Sequence, residues 1–466
     1  MGSIVNDTRD MFRDHVFLQK ATRIALPVAL QGMLNTIVNL VDTLMIGTLG
    51  ETTIAAVGLA NKVFFVFSLL VFGVVSGSGV LAAQYWGIKD VKNIRKVLGM
   101  ALSIAVLGSL LFVIPSELAP QMVMRIFTTS EGAVEIGARY LAVVAWAYPF
   151  IAITNTYVAM MRAVGRVKAP VVFSCVAIVV NIILNYILIF GKCGAPALGA
   201  PGAALATVIA RIVEMTLILC LNYATKSPLA CRVRDLFGYS RSFVRQFFAT
   251  TSPVIANEFI WGLGTTIYSL AYGRMGDGAV AAITIATTIQ DIVVVLFQGL
   301  SAATAVILGN EMGAGKMKRA EIYAKYFIML QFFVTLAAMA ICYMIRPSVI
   351  GMYQISPAVA MDVSRCLSMF ILYMPFKMFN FINIVGILRS GGDTKVCLMI
   401  DTSGVWLIGI PMAFIGGLWL KQPIYIVYAM VMTEEIYKAV LGIIRYRQKK
   451  WLRNLAAELG ELGVKT

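Results

Sequence analysis

The feature that most limits what this chain can fold into is a series of about twelve long, nearly uncharged apolar stretches between residues 21 and 444. A helix of ~20 apolar residues crosses the ~30 Å hydrocarbon core of a bilayer, and it satisfies its own backbone there. The windows fall at 21–46, 54–84, 94–118, 134–160, 168–192, 202–223, 247–273, 280–309, 321–345, 361–388, 396–419 and 423–444. A large water-soluble core fails as an alternative, because charged residues make up only 13% of the chain where roughly a quarter is usual. The expected fold class is an all-α integral membrane protein with about twelve transmembrane helices. Windows longer than one bilayer thickness imply tilt. Pro27, Pro149, Pro253, Pro375 and Pro411 should bend the helices that hold them.

The formal net charge of +16 is distributed over alternate loops. Arg9, Arg13, Lys20 and Arg23 precede the first window, and Lys89, Lys92, Arg95 and Lys96 follow the second. Arg162, Arg166 and Lys168 come next, then Lys226, Arg232, Arg234, Arg241 and Arg245. Lys316, Lys318, Arg319, Arg389, Lys395 and the bases after Arg445 continue the alternation. The positive-inside rule then places both termini in the cytoplasm and the chain in a cell membrane. Charge scattered over short loops excludes a nucleic-acid partner, which needs one contiguous basic face. The polar first twenty residues hold no signal-peptide core, so no cleavage is expected. The seven cysteines lack metal or redox spacing and read as packing residues.

A self-match organises the chain further. Pro27 recurs as Pro253, an offset of 226 residues (253 − 27). At that offset Gly47, Gly50, Gly73 and Gly87 meet Gly273, Gly276, Gly299 and Gly313, and Pro149-Phe150 meets Pro375-Phe376. One inserted residue then aligns Arg162, Gly165 and Lys168 with Arg389, Gly392 and Lys395. Each repeat holds an even number of spans, so both insert the same way up. The expected organisation is a cytoplasmic segment 1–20, a six-helix lobe 21–223, a basic linker 224–246, a second six-helix lobe 247–445 and a tail 446–466. Two homologous lobes facing a cavity suit alternating access.

The strings PVALQGMLNTIVNLVDTLMIGTLGETTIAAVGLA, GVVSGSGVLAAQYWG, GLSAATAVILGNEMGAGKMKRA and VGILRSGGDTK, in this order and duplication, resemble the multidrug and toxic compound extrusion (MATE) transporters over about residues 20 to 450. The resemblance implies export of amphipathic, often cationic, organic compounds by a monomer in exchange for Na+ or H+, without a cofactor. A flippase for lipid-linked saccharides, of the same superfamily, is the alternative. An enzyme is not expected: the single histidine lies outside the windows, and no HExxH or nucleophile-elbow motif occurs.

Ionisable groups inside spans are expensive and mark function or packing. Asp42 shares a helix face with Asn35 and Asn39 at i−7 and i−3; Asn181 and Asn185 repeat the pattern at i, i+4; Thr207, Arg211 and Glu214 form a third polar face, on which Arg211 can neutralise Glu214. By resemblance Asp42, Asn181 and Thr207 fall where the family's amino-terminal lobe holds its coupling cation, Na+ among them, and Asn185 stands where the H+-coupled bacterial branch has a second aspartate. Helix packing is the plainer reading of the same groups. Met33, Asn155 and Tyr157, with Asn35 and Asn39, are candidate cavity residues. The second half carries Glu258, Asp291, Lys377 and Asp401, opposite Gly32, Phe65, Ile151 and Cys175 at the first offset, and Lys377 is expected to neutralise one of the three acids. The Na+-coupled branch has its glutamate eight residues after the proline; here that position is Trp261, one turn beyond Glu258. Glu434 and Lys438 read as a packing pair, and Asp393 as the cap of the helix after the RSGGDTK turn.

Overall fold

The computed structural model describes residues 2–353 and 355–458; residues 459–466 of the expected tail lie outside the described residues. A short helix Gly2–Arg13 precedes the spans. We number these α1 (His15–Gly47), α2 (Glu51–Gly87), α3 (Val91–Leu118), α4 (Glu131–Val144 with Ala147–Ala163), α5 (Lys168–Phe190), α6 (Ala200–Ala224), α7 (Arg241–Gly273), α8 (Asp277–Gly313), α9 (Met317–Ile350), α10 (Pro357–Leu388), α11 (Thr394–Trp419) and α12 (Ile424–Arg447). Among the described residues, nine of these are long and apolar enough to cross a membrane. α4 joins them as a pair of segments bent by 47°, so the window 134–160 is not one straight helix. α7 and α12 complete the twelve. α7 is diluted by Thr, Asn and Gly, and α12 carries Glu434, Glu435 and Lys438 at its middle.

The repeat is visible in the backbone. α1 and α7 are both 33 residues long, and α2 and α8 both 37. Gly50 and Gly276, one residue before α2 and α8, have φ of 109° and 106°; Gly165 and Gly392, aligned after the inserted residue, have 81° and 78°. Side-chain-bearing residues rarely adopt these angles, so each repeat keeps a glycine where its turn goes left-handed.

The chain divides into two compact units, Leu30–Thr251 and Met1–Ala29 with Ser252–Thr466. The borders read from the sequence lie in loops; these divisions lie inside α1 and α7, within three residues of Pro27 and Pro253. Proline removes a helical hydrogen bond and loosens the turn before it, so a continuous helix can change packing partners there. In the unit Leu30–Thr251, Phe67 stacks on Tyr148 with centroids 4.7 Å apart and meets Phe112 edge-on. In the other, the fully buried Phe17 packs among Tyr323, Tyr326 and Phe327, and a larger core joins Tyr268, Tyr272, Phe297, Phe370, Met374 and Tyr428.

After α12 the chain turns back on itself. Trp451 is fully buried, stacks on Tyr446 and donates its indole N–H to the Tyr446 carbonyl at 3.2 Å; Asn454 bonds to the Gly313 carbonyl. A Cβ at Gly391 would lie 1.5 Å from the Trp451 carbonyl oxygen, so only glycine fits beneath this segment. Asp393 sits at the start of α11, yet its carboxylate is taken by Arg445 at 2.5 and 2.9 Å and makes no capping bond. A guanidinium outcompetes a backbone amide for a carboxylate, and this pairing corrects the capping expectation. Gly391→Ala should displace the Trp451 segment and destabilise this unit by about 1–3 kcal/mol. Thermal unfolding in detergent, followed by tryptophan fluorescence, measures both effects.

Candidate functional site

The part of α1 from Leu30 onward, α5 and α6 belong to one unit and bring the first polar cluster together. Asp42 is half-buried, while Asn181 and Asn185 are buried. The Asn185 amide donates to Asp42 Oδ1 at 2.5 Å and to Asn181 Oδ1 at 3.2 Å; the Asn181 amide donates to Thr207 Oγ1 at 3.4 Å. Thr207 donates in turn to the Ala203 carbonyl. The i, i+4 spacing on α5 explains why one helix reaches both Asp42 and Thr207. One atom is left over: Asn185 Oδ1 is buried with no hydrogen-bond partner, although it belongs to the side chain that touches Asp42. An unmet buried acceptor costs about 1–3 kcal/mol, so it marks a place where another donor or a cation would be welcome. A carboxylate, amide oxygens and a hydroxyl are all hard oxygen ligands, the set that suits a monovalent cation, proton or Na+. Among the described residues, no group of three or more His, Cys, Asp or Glu could hold a metal ion of another kind.

Met33, Asn35, Asn39 and Asn155 are exposed on the surface of their unit. Tyr157 is 4% exposed and lies within the helix packing. Its aromatic ring is better placed between helices than in water.

A second polar chain crosses the same unit. Arg162 donates to Gln31 Oε1 at 2.6 Å, Gln31 donates to Ser174 Oγ at 2.9 Å, and Ser174 donates to Glu214 Oε1 at 2.6 Å. Arg211 pairs with Glu214 Oε2 at 2.7 Å, as the i, i+3 spacing predicts. Gln31 and Ser174 are single polar residues in apolar windows and carry no signal of their own, and Arg162 stands in the sequence among the bases of the alternate loops. The repeat did hold a signal, since Arg162 and Arg389 align.

In the other unit Arg389 is 2% exposed and takes the place expected of Lys377. It donates to Glu258 at 3.0 Å and lies 4.0 Å from Asp401, which accepts from Asn257 at 3.0 Å. Lys377 pairs instead with Glu435 at 3.3 Å, and Glu435 also accepts from Asn380. Asp291 is exposed, and no ion pair joins it to the others among the described residues. The expectation that Lys377 neutralises Glu258, Asp291 or Asp401 is therefore corrected, because α12 carries a nearer carboxylate that the sequence reading overlooked. Glu434 and Lys438 do pair, at 3.2 Å, and Tyr268 donates to Glu434 at 2.5 Å. π-helical stretches at Phe381–Leu388 and Gly404–Gly409 follow Asn380 and Asp401, and such irregular turns gather at functional positions.

The two arginines occupy equivalent positions. With the inserted residue counted, Asp401 aligns with Ser174, not Cys175, and Asn257 aligns with Gln31. Each unit thus gathers an arginine at the end of its fourth span, an amide on its first and a polar group on its fifth. Around Arg162 the other two groups are neutral; around Arg389 stand two carboxylates, Glu258 and Asp401. Asp42 itself aligns with Tyr268, so the first cluster is not duplicated.

The MatE family profile matches residues 27–187 and 253–415, one block in each repeat. The chain is 24% identical to the multidrug resistance protein PmpM of Pseudomonas aeruginosa, over 87% of this chain and 86% of the relative. It is 23% identical to the multidrug resistance protein MdtK of Yersinia enterocolitica, over 85% and 86%. The crystal structure of a MATE protein in the straight conformation superimposes with a TM-score of 0.84 at 20% identity, covering 92% of this chain and 95% of that one. An outward-facing multidrug resistance MATE family transporter of the MOP superfamily gives the same score and coverage.

Proposed function

The chain belongs to the MatE family of membrane transporters, and from that membership we propose that it is a secondary active multidrug exporter that exchanges a monovalent cation at Asp42 for an amphipathic organic compound. The observation that carries this reading is the half-buried Asp42 carboxylate beside the unmet Asn185 oxygen. When Asp42 is empty and ionised, the Asn185 amide hydrogen serves it. Half a turn of that amide exchanges donor for acceptor and offers Oδ1 to a cation seated between the two side chains. Asn181 and Thr207 supply further oxygens one helix turn away. Binding at such a site is cooperative with closure, because the amide and hydroxyl dipoles must all turn toward the ion.

Alternating access follows from the two units: the cation and the organic compound bind to different conformations, and the difference in affinity drives the exchange. Met33, Asn35, Asn39 and Asn155 are the polar and polarisable groups offered to the organic compound. Met side chains repack around varied shapes, which suits a broad substrate range. Both termini lie in the cytoplasm in this reading, on the basic side of the membrane. The oxygen-rich, single-carboxylate set favours Na+ over H+.

Purified protein in ethidium-loaded liposomes tests the reading. At fixed pH, with the protonmotive force collapsed, efflux should rise with an opposing Na+ gradient. Efflux that ignores Na+ and follows an imposed pH gradient reassigns the ion to H+, and efflux that follows neither overturns antiport.

A further inference from the structure

The charges in the unit Leu30–Thr251 are unevenly shared. Glu214 has both oxygens engaged, one by Ser174 at 2.6 Å and one by Arg211 at 2.7 Å, and through Ser174 and Gln31 it is also tied to Arg162. Two guanidinium groups therefore serve one carboxylate. Asp42, half-buried on α1, has no base within ion-pair distance among the described residues. Arg211 stands one turn beyond Thr207 on α6, on the same face, and Thr207 belongs to the Asp42 cluster through Asn181. Its side chain is 30% exposed where that of Glu214 is 4% exposed, so Arg211 is the partner with room to move.

We propose that Arg211 is the resident counter-cation of Asp42: it turns toward Asp42 when the transported cation leaves and withdraws onto Glu214 when that cation binds. The proposal rests on the reading of Asp42 as the coupling site. The arithmetic of charge favours it: with Asp42 ionised, two acids balance two arginines in this unit's interior, and a transported cation adds one positive charge. Glu214 can release Arg211 for part of the cycle, since Ser174 and the Arg162 relay continue to satisfy its other oxygen. A long guanidinium that shifts between two carboxylates competes directly with the ion, without any rearrangement of the backbone. The same device lets the empty carrier keep a neutral interior as it returns, which a bare buried carboxylate would oppose.

Competition predicts opposite shifts from two substitutions. Arg211→Gln removes the competitor, so the Na+ concentration for half-maximal ethidium efflux from proteoliposomes should fall about tenfold, a typical coupling between neighbouring sites. Glu214→Gln removes the second seat and leaves Arg211 on Asp42, so the same half-saturation should rise about tenfold. If protons drive efflux, the proton concentration for half-maximal rate takes the place of Na+. Shifts in the same direction, or lower rates with unchanged half-saturation, overturn the proposal and leave the relay a packing device. Should Glu214→Gln fail to fold, Ser174→Ala replaces it: Glu214 then relies more on Arg211, half-saturation should fall, and a rise or no change overturns the idea. Asp42→Asn is run alongside. Gradient-driven efflux by that variant defeats the coupling reading itself, whereas its loss together with unshifted Arg211 and Glu214 variants defeats only the counter-cation role.

Discussion

Asp42→Asn is expected to leave the protein folded and inserted while reducing gradient-driven efflux to the leak of empty liposomes. The substitution keeps the shape of the side chain and an oxygen that can accept from the Asn185 amide. What it removes is the charge. Two unit charges about 4 Å apart attract by about 4 kcal/mol at an effective dielectric of about 20, and that corresponds to about a thousandfold in binding. The Asn181, Asn185 and Thr207 dipoles cannot replace it. Melting temperature in detergent and efflux under an imposed gradient separate the two outcomes, and near-normal efflux from a well-folded variant would falsify the assignment of Asp42.

The second large effect is expected at Arg389. Arg389→Met leaves Glu258 and Asp401 facing each other in a buried place without their cation, and should destabilise the protein by about 3–5 kcal/mol. Adding Glu258→Gln and Asp401→Asn should restore much of that loss, because the uncompensated charges then disappear. The equivalent Arg162→Met supplies an internal control. Its aligned neighbours Gln31 and Ser174 are neutral, so the cost there should be smaller, about 1–3 kcal/mol for hydrogen bonds lost in the interior. Chemical or thermal unfolding of both variants in the same detergent makes the comparison. Equal losses at the two arginines would show that the carboxylates around Arg389 add nothing beyond packing.

Several parts of the site were legible in the chain itself. The i, i+4 pair Asn181 and Asn185, the lone Asp42 and the one-turn step from Thr207 to Arg211 all follow from helical periodicity, and the structure assembles them on three adjacent helices. The pairs Arg211–Glu214 and Glu434–Lys438 were legible for the same reason, since both partners lie on one helix. Lys377 was misassigned because its partner lies on another helix, 58 residues away, and spacing along one chain says nothing about which helices touch. Arg389 was hidden differently: it stands next to a glycine turn, and only its burial and the carboxylates of α7 and α11 beside it reveal that it is covered. The exposure of Asn155 and the burial of Tyr157, two residues apart on α4, depend on which neighbours flank that helix.

The sequence by itself determined the twelve spans, their duplication and the positions of the left-handed glycines at Gly50, Gly165, Gly276 and Gly392. Transfer of a side chain into hydrocarbon and the steric limits on φ are properties of single residues and short windows, so they survive in one dimension. The tertiary structure alone decided that α1 and α7 change partners near their prolines, that Asp393 serves Arg445, and which acid each buried base meets. Ion pairs and hydrogen bonds form only within about 3–4 Å, so a shift of one helical turn changes the partner while the hydropathy of the span is unaltered.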